Sequence, residues 1–430
     1  MPKSGGELVV ATRNSPTTYF LDGEGKATGF EHDLVRRFAE AQGWSVRFET
    51  MESLDGMFRA VRNGRVHIAA AGLTVTEERG RQVAFGPAYG QVQELLVCRE
   101  GVTQPARLEQ IKGLRLEVVA GSSHALRLKQ AQRRAPGLKW VEVVTPGEEE
   151  LLERVDAGLA DCTVADSDNL DVARNFHPSL REGLVLASRQ QHAWALKMGV
   201  DVSLSRKLST FFHGMERSGE LARLRERYFG HVTRLAEADV RGVLERRVER
   251  LHPLRAHLYA GQIETGLDWR LLAAVAYQES QWDAAAVSPT GVRGIMMLTS
   301  DTADRLGVKD RLDPRESILG GARYLVMLRA GQAEDIPEPD RTWMALAAYN
   351  IGPAHLEDAR TLARRLGKNP NRWSDMKEVL PLIAHPRHYA GLRYGFARGG
   401  EARTFAENVR IYYDILNRFE RPYRNFWSLD

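Results

Sequence analysis

The chain is poor in the residues that build small stapled or metal-bound folds. Only two cysteines, Cys98 and Cys162, occur in 430 residues. They stand far apart, with no CxxC pair or Cys/His cluster, which excludes a disulfide framework and a zinc module. No HExxH occurs either, so neither a metal nor another cofactor is expected. Both cysteines lie in strand-like apolar runs. Two buried free thiols are the favoured expectation, with a single disulfide as the alternative. No apolar run approaches the ~18 residues of a membrane-spanning helix. Met1-Pro2-Lys3-Ser4-Gly5-Gly6 leads straight into an apolar run at 8–11, with no apolar signal core. The chain is then either cytosolic, or a targeting segment was removed and a start methionine added. A large excess of one charge is also missing. A net charge of +4 favours an acidic polymer or anionic surface, but no RNP-type, zinc-finger or helix-turn-helix signature accompanies it, so nucleic acid is not an expected partner. What remains is an ordinary globular composition in a chain long enough for two or three domains.

The first half alternates strands and helices. Residues 8–12 read as a strand, followed by a polar loop with Gly23, Gly25 and Gly29. "FEHDLVRRFAEAQ" (30–42) then has helical periodicity and stops at Gly43. Residues 46–49 are strand-like, 54–63 helix-like and 67–71 a short apolar strand. This β-α-β-α-β order predicts a parallel or mixed sheet with helices on its faces. The pattern restarts with "LLVCR" (95–99), "LRLEVVAGSSHAL" (114–126), "GEEELLERVDAG" (147–158) and "DCTVAD" (161–166). Over residues 7–230 we expect two similar α/β lobes with a cleft between them. The chain should cross from lobe to lobe near 90–100 and 187–195. After His231 strand signals almost vanish. Residues 231–266 read as a helical linker broken at Pro253 and Gly266, and 267–430 as a second, mainly α domain. The fold class is therefore multidomain, α/β followed by mainly α.

Two stretches of the first half, "LVVATRNSPTTYFLDGEGKATGFEHDLVRRFAEAQG" and "GRVHIAAAGLTVTEERGRQVAFGPAYG", resemble the family 3 extracellular solute-binding proteins. These are two-lobed periplasmic modules that bind amino acids. The resemblance implies that Arg79, in T-x-E-R after Thr76 and Glu78, clamps a ligand α-carboxylate beside Thr74. It also implies that Asp166 accepts the ligand ammonium and that Tyr19 or Phe20 supplies an aromatic wall. The chemistry is sound on its own terms. A guanidinium is a planar, two-pronged donor for a carboxylate, and the helix start in "AGSSHAL", with Ser122 and Ser123, offers backbone N–H groups.

The second half carries "AYQESQWDAAAVSPTGVRGIMMLTSDTA" (276–303). This stretch resembles the catalytic motif of the family 1 lytic transglycosylases, which have a lysozyme-like fold. Glu279, Ser280, Trp282, Asp283, Ser288, Gly291, Gly294, Met296 and Leu298 fit the pattern. Ile295 and Met297 depart from it, and Met297 stands where the family has a Gln that contacts sugar. "ALAAYNIGPAHL" matches a second motif through Tyr349 and Asn350, and "EARTFAENVRIYYDIL" a third through Tyr412. Three motifs in order over ~150 residues form a specific signal.

The resemblance implies a peptidoglycan enzyme. Glu279 protonates the leaving oxygen of a β-1,4 glycosidic bond, and the muramic C6 hydroxyl closes on C1 to give a 1,6-anhydro product. Ser288 orients that hydroxyl, Asn350 binds the sugar's amide, and Tyr412 holds Glu279 or the N-acetyl group. Asp283 reads as a loop cap rather than a partner nucleophile. The Arg/His/Tyr-rich stretch 385–403 reads as a glycan-groove loop. An acid that is neutral near pH 7 needs a raised pKa, and Leu271, Leu272, Ala274, Val275 and Met296 provide an apolar setting for one. A hydrolytic muramidase and a non-catalytic glycan- or solute-binding protein are the competing readings. Expected partners are glycan strands for the second half and a small amino-acid or muropeptide ligand for the first. The expected compartment is the periplasm, with outer-membrane attachment only through a segment absent here.

Overall fold

The computed structural model describes residues 6–21, 26–199, 202–232, 235–288 and 291–423. The expected start at 1–5 and the loop positions Gly23 and Gly25 lie outside them. The chain divides into two compact units, Met1–Thr233 and Arg234–Asp430.

Unit 1 is an α/β structure. Its strands are β1 (Glu7–Thr12), β2 (Phe20–Leu21), β3 (Ala27–Thr28), β4 (Ser45–Thr50), β5 (Ile68–Ala69), β6 (Ala84–Arg99), β7 (Leu116–Val119), β8 (Val141–Val143), β9 (Cys162–Asp166) and β10 (Leu180–Leu196). Its helices are α1 (Phe30–Gln42), α2 (Leu54–Arg62), α3 (Glu77–Gly80), α4 (Ser123–Gln132), α5 (Glu148–Asp156), α6 (Ser167–Arg174), α7 (Val202–Arg217) and α8 (Glu220–Phe229). Eight strands form one mixed sheet in the order β4-β1-β5-β10-β6-β9-β7-β8. β1 pairs in parallel with β4 and β5, and β7 in parallel with β8 and β9. The long antiparallel pair β6–β10 joins these two halves, so each parallel half is a lobe and the long pair is the connection between them.

The pattern of β1 shows why the sheet is covered on both faces. Leu8 and Val10 point into a core with Phe30, Phe38, Trp194 and Phe212, while Val9 and Ala11 point into another with Met57, Val61 and Leu73. A strand buried on both faces needs a continuous apolar run rather than alternation. Helix α1 begins at Gly29, where φ is +129° and an added Cβ would stand 2.2 Å from the Thr18 carbonyl oxygen, so only glycine fits.

One expectation fails here. Cys98 and Cys162 are not free thiols but a disulfide. They are opposite residues on the paired strands β6 and β9, in a core with Leu96, Leu116 and Val164. Their 64-residue separation in sequence hid a proximity that only the antiparallel register creates.

Unit 2 is helical, with α9 (Glu237–Arg246), α10 (Arg255–Thr265), α11 (Trp269–Ser280), α12 (Ser300–Leu306), α13 (Pro314–Ala330), α14 (Asp340–Ile351), α15 (Pro353–Arg365), α16 (Trp373–Val379), α17 (Pro386–Tyr389) and α18 (Gly399–Phe419). Every residue of α11 from Trp269 to Tyr277 is buried. A helix that is apolar all round belongs inside its domain, and α11 packs between α18 and α10. Asp268 starts it by accepting from the Arg270 N–H and by pairing with the buried Arg270 guanidinium.

Candidate functional site

Glu279 lies in the last turn of α11, where the chain leaves the buried helix. Gln281 (φ 54°) and Trp282 (φ 61°) take the left-handed conformation, and so does Met297 (φ 47°). These are three of the four non-glycine residues with positive φ among those described, and such backbone gathers at functional sites. Trp282 is buried and folds back on the helix, its indole N–H donating to the Ala273 carbonyl at 2.8 Å. The Ser280 hydroxyl donates to the Ala276 and Ile295 carbonyls at 3.0 and 2.9 Å, tying the helix end to the loop that follows. That loop is bridged at Val287–Arg293 and Arg293–Leu298. Its turn requires Gly294, which has φ +79° and would place a Cβ 1.7 Å from the Arg311 carbonyl oxygen. From α14, the Tyr349 hydroxyl donates to the Met296 carbonyl at 2.8 Å.

Glu279 is half-buried, and among the described residues no side chain hydrogen-bonds or ion-pairs with its carboxyl. Burial alone pushes its pKa up to about 8. Tyr349 is its titratable neighbour; burial, with Glu279 beside it, raises the phenol well above its usual range. Asp283 is exposed and accepts from the Ala285 N–H. Ser288 accepts from the Val292 N–H within the loop, Met297 is half-buried, and Asn350 is exposed at the end of α14. Tyr412 is buried at 6% exposure, its ring edge-on to Tyr277 at 4.7 Å. Tyr277 in turn accepts from Arg246 of α9 at 3.1 Å.

Unit 1 places a different kind of chemistry between its lobes. Arg79, on α3, donates to the Thr74 carbonyl (2.9 Å) in the first lobe and the Gly121 carbonyl (3.3 Å) in the second. Its face covers Phe58 at 5.0 Å, and burial, partly offset by Asp166, lowers its pKa to about 10. The Ser122 hydroxyl caps α4 by accepting from the Ala125 N–H, and Ser123 is buried beside it. Asp166 is 1% exposed, and both its oxygens are occupied: Oδ1 by His124 Nε2 at 3.2 Å and Oδ2 by His192 Nε2 at 3.0 Å. Burial opposes its charge, but the two imidazoles win and hold it well below the carboxylate range. Burial likewise opposes charge on His124, yet Glu148 and Asp166 raise its pKa to about 9. Tyr19 packs on Phe48 and His32 at 5.2 and 5.7 Å, outside the lining of the interlobe cavity.

Two family models match the chain. Residues 8–231 match the bacterial extracellular solute-binding proteins, family 3, and residues 260–371 the transglycosylase SLT domain. A membrane-bound lytic murein transglycosylase F of Nitrosospira multiformis is 46% identical over 97% of this chain and 87% of its own length. One of Thiobacillus denitrificans is 44% identical over 98% of this chain and 90% of its own length. The chain belongs to the membrane-bound lytic murein transglycosylase F family. A solved ancestral arginine-binding protein bound to arginine is also similar, at 27% identity and a TM-score of 0.48, covering 53% of this chain and all of that one.

As a member of the lytic murein transglycosylase F family the chain is a lytic transglycosylase, with a solute-binding unit ahead of its catalytic unit. The structure brings Glu279, Ser280, Met296 and Tyr349 together, and it seats Tyr412 in the aromatic layer with Tyr277. In the solute-binding unit it brings Arg79, Thr74 and the Gly121–Ser122 turn together. Sequence reasoning missed His124, His192, Glu31 and Arg13, all buried. A charged residue amid strand-like apolar sequence, as at "LVVATRN", was the available signal, because an ionisable side chain in such a run needs a partner or a purpose.

Proposed function

We propose that the catalytic unit cleaves the MurNAc–GlcNAc β-1,4 bond of murein without water, using Glu279 for both proton transfers. The protonated carboxyl gives its proton to the glycosidic oxygen as the C1–O bond breaks. The resulting carboxylate takes the proton of the muramic C6 hydroxyl as that oxygen bonds to C1, leaving a 1,6-anhydromuramoyl end. The observation that carries this reading is the isolation of Glu279. Hydrolytic glycosidases set a second carboxylate about 5–9.5 Å away, as nucleophile or as base for a water. Here no charged group of either sign contributes to the Glu279 pKa. A lone acid that is neutral at pH 7 suits a reaction in which the substrate carries its own nucleophile. Ser288, Met297 and Asn350 are assigned to the substrate face, and Tyr349 to holding the Met296 backbone beside the acid.

The solute-binding unit is proposed to take a small effector, an amino acid or cell-wall peptide, between its lobes, with Arg79 on a ligand carboxylate. Effector control follows only if the ligand prefers one arrangement of the lobes. The disulfide favours an oxidising compartment, in keeping with a periplasmic location at the outer membrane. No helix among the described residues is long and apolar enough to cross a membrane. The deciding experiment is mass spectrometry of digested sacculi. Anhydro ends that disappear with Glu279→Gln are expected; reducing ends alone would mean a hydrolase.

A further inference from the structure

We propose that the interlobe cleft of the solute-binding unit contains a second anion subsite built on Arg13, so that its ligand is a compact molecule with two carboxylates. The proposal rests on the effector reading above and narrows its chemistry.

The first observation is an arginine without a partner. Arg13 follows β1 and is 4% exposed. Among the described residues its guanidinium makes no hydrogen bond and no ion pair, and its Nε is wholly enclosed. Other arginines of the unit show how such groups are normally satisfied. Arg127 pairs with Glu94 at 3.2 Å, and Arg154 with Glu117 at 2.7 Å. A buried guanidinium with none of its five donors used is costly, so a fold that keeps one keeps it for something absent from the free protein.

The carboxylates around it are mostly engaged with other donors. Glu31 accepts from the Gly72 N–H, the Tyr89 hydroxyl and the Trp194 indole. Glu148 accepts from the Asp166 N–H and from Asn169. Asp166 is held by two imidazoles. Asp168 in the cavity wall keeps one oxygen free of hydrogen bonds, as does Glu148, whose bonds both fall on Oε2, and neither forms a hydrogen bond or ion pair with Arg13.

The position suits a ligand group. A methyl at Gly72, in the first lobe, would stand 3.3 Å from Nη2, and one at Gly147, in the second, 3.2 Å from Nη1. The fork therefore lies between the lobes, beside the residue that caps the nine-residue helix α5. Arg79 stands outside the lining of that cavity but also bridges the lobes, and its guanidinium hydrogen-bonds only to carbonyls. The two guanidiniums are close enough for Arg13 to disfavour the charge on Arg79. A dianion spanning them relieves that repulsion and satisfies both forks with two-pronged contacts. Asp166 is already engaged by His124 and His192, so a ligand ammonium would have to share it with two imidazoles. The cavity measures about 10 Å³, room for one water. Admission therefore requires the lobes to part about β6 and β10.

Binding to the full chain is to be measured by calorimetry and thermal shift, with glutarate and glutamate against butyrate, leucine and arginine. Glutarate and glutamate are expected to bind at least about tenfold more tightly than the monocarboxylates. Arg13→Met is expected to erase that margin while leaving the ligand-free Tm unchanged or raised, since it removes an unpaired buried cation. Arg79→Ala is expected to weaken every carboxylate. Equal binding of butyrate and glutarate, untouched by Arg13→Met, would overturn the second subsite and leave the effector reading standing. A lower ligand-free Tm in Arg13→Met, with the margin intact, would make Arg13 structural. Failure of every carboxylate to bind the wild type would overturn both readings.

Discussion

Asp166 in unit 1 and Glu279 in unit 2 are both carboxylates withdrawn from bulk water, and they titrate in opposite directions. Asp166 has an imidazole on each oxygen and stays ionised. Glu279 has no charged or hydrogen-bonded partner among the described residues, and its pKa climbs to about 8. Burial penalises the charge in both places; the partners alone decide the sign. The carboxylate that braces two imidazoles is surrounded by donors, and the one proposed to hand over a proton is deprived of them. The two halves of the chain apply the same physics to opposite ends.

The largest effect should come from removing the unpartnered group. Glu279→Gln is isosteric and leaves the helix end intact, but it cannot give up and regain a proton. Release of anhydro products from sacculi should fall by about 10³-fold or more. A fall below about tenfold would mean that another group supplies the proton. Next comes the opposite lesion. Asp166→Asn removes the counter-charge of two buried imidazoles and should cost unit 1 about 3–5 kcal/mol, read as a lower Tm for that unit alone. If its Tm does not move, the histidines are neutral and the cluster is not ionic.

The disulfide sets the next test. Its loop spans 64 residues, for which loop-closure entropy gives about 4 kcal/mol of stabilisation. Cys98→Ala/Cys162→Ala should lower the unfolding transition of unit 1 and leave that of unit 2 in place. A shift in both would mean that the units do not unfold separately.

Legibility from sequence followed the range of the interactions. The helix 30–42 and its stop at Gly43 were readable because periodicity and a left-handed glycine cap are local signals. The position of Glu279 at the end of an apolar helix was readable for the same reason. The Cys98–Cys162 pairing was not, because it depends on β6 and β9 meeting in register from distant parts of the chain. The same limit hid the ring of partners around Asp166: His124 sits inside the "AGSSHAL" segment, where sequence shows a turn and a helix start but no partner, and His192 lies on a strand arriving 26 residues later. Tyr349 could be placed in a motif from its spacing, but its hydroxyl's partner, a carbonyl 53 residues away, could not.

The smallest effect is the most diagnostic, because its sign is fixed by the isolation of Glu279. The folded pKa of about 8 stands above the ordinary 4.5, so the folded state binds a proton more tightly than the unfolded chain. The stability this contributes is fully present below pH 4.5, is lost as pH rises towards 8, and is gone above it. Glu279→Gln has no such loss. The full shift would be worth about 4–5 kcal/mol. Glu279 is only half-buried, however, and solvent screening cuts that to about 2 kcal/mol. At pH 5 wild type and variant should therefore unfold at similar temperatures, while at pH 9 the inactive variant should be the more stable. Asp166 behaves in the reverse sense, its contribution being lost as pH falls. Thermal unfolding of unit 2 across pH 5–9 checks this, and a constant gap between the two proteins would mean that Glu279 titrates as an ordinary surface carboxylate and cannot be the acid.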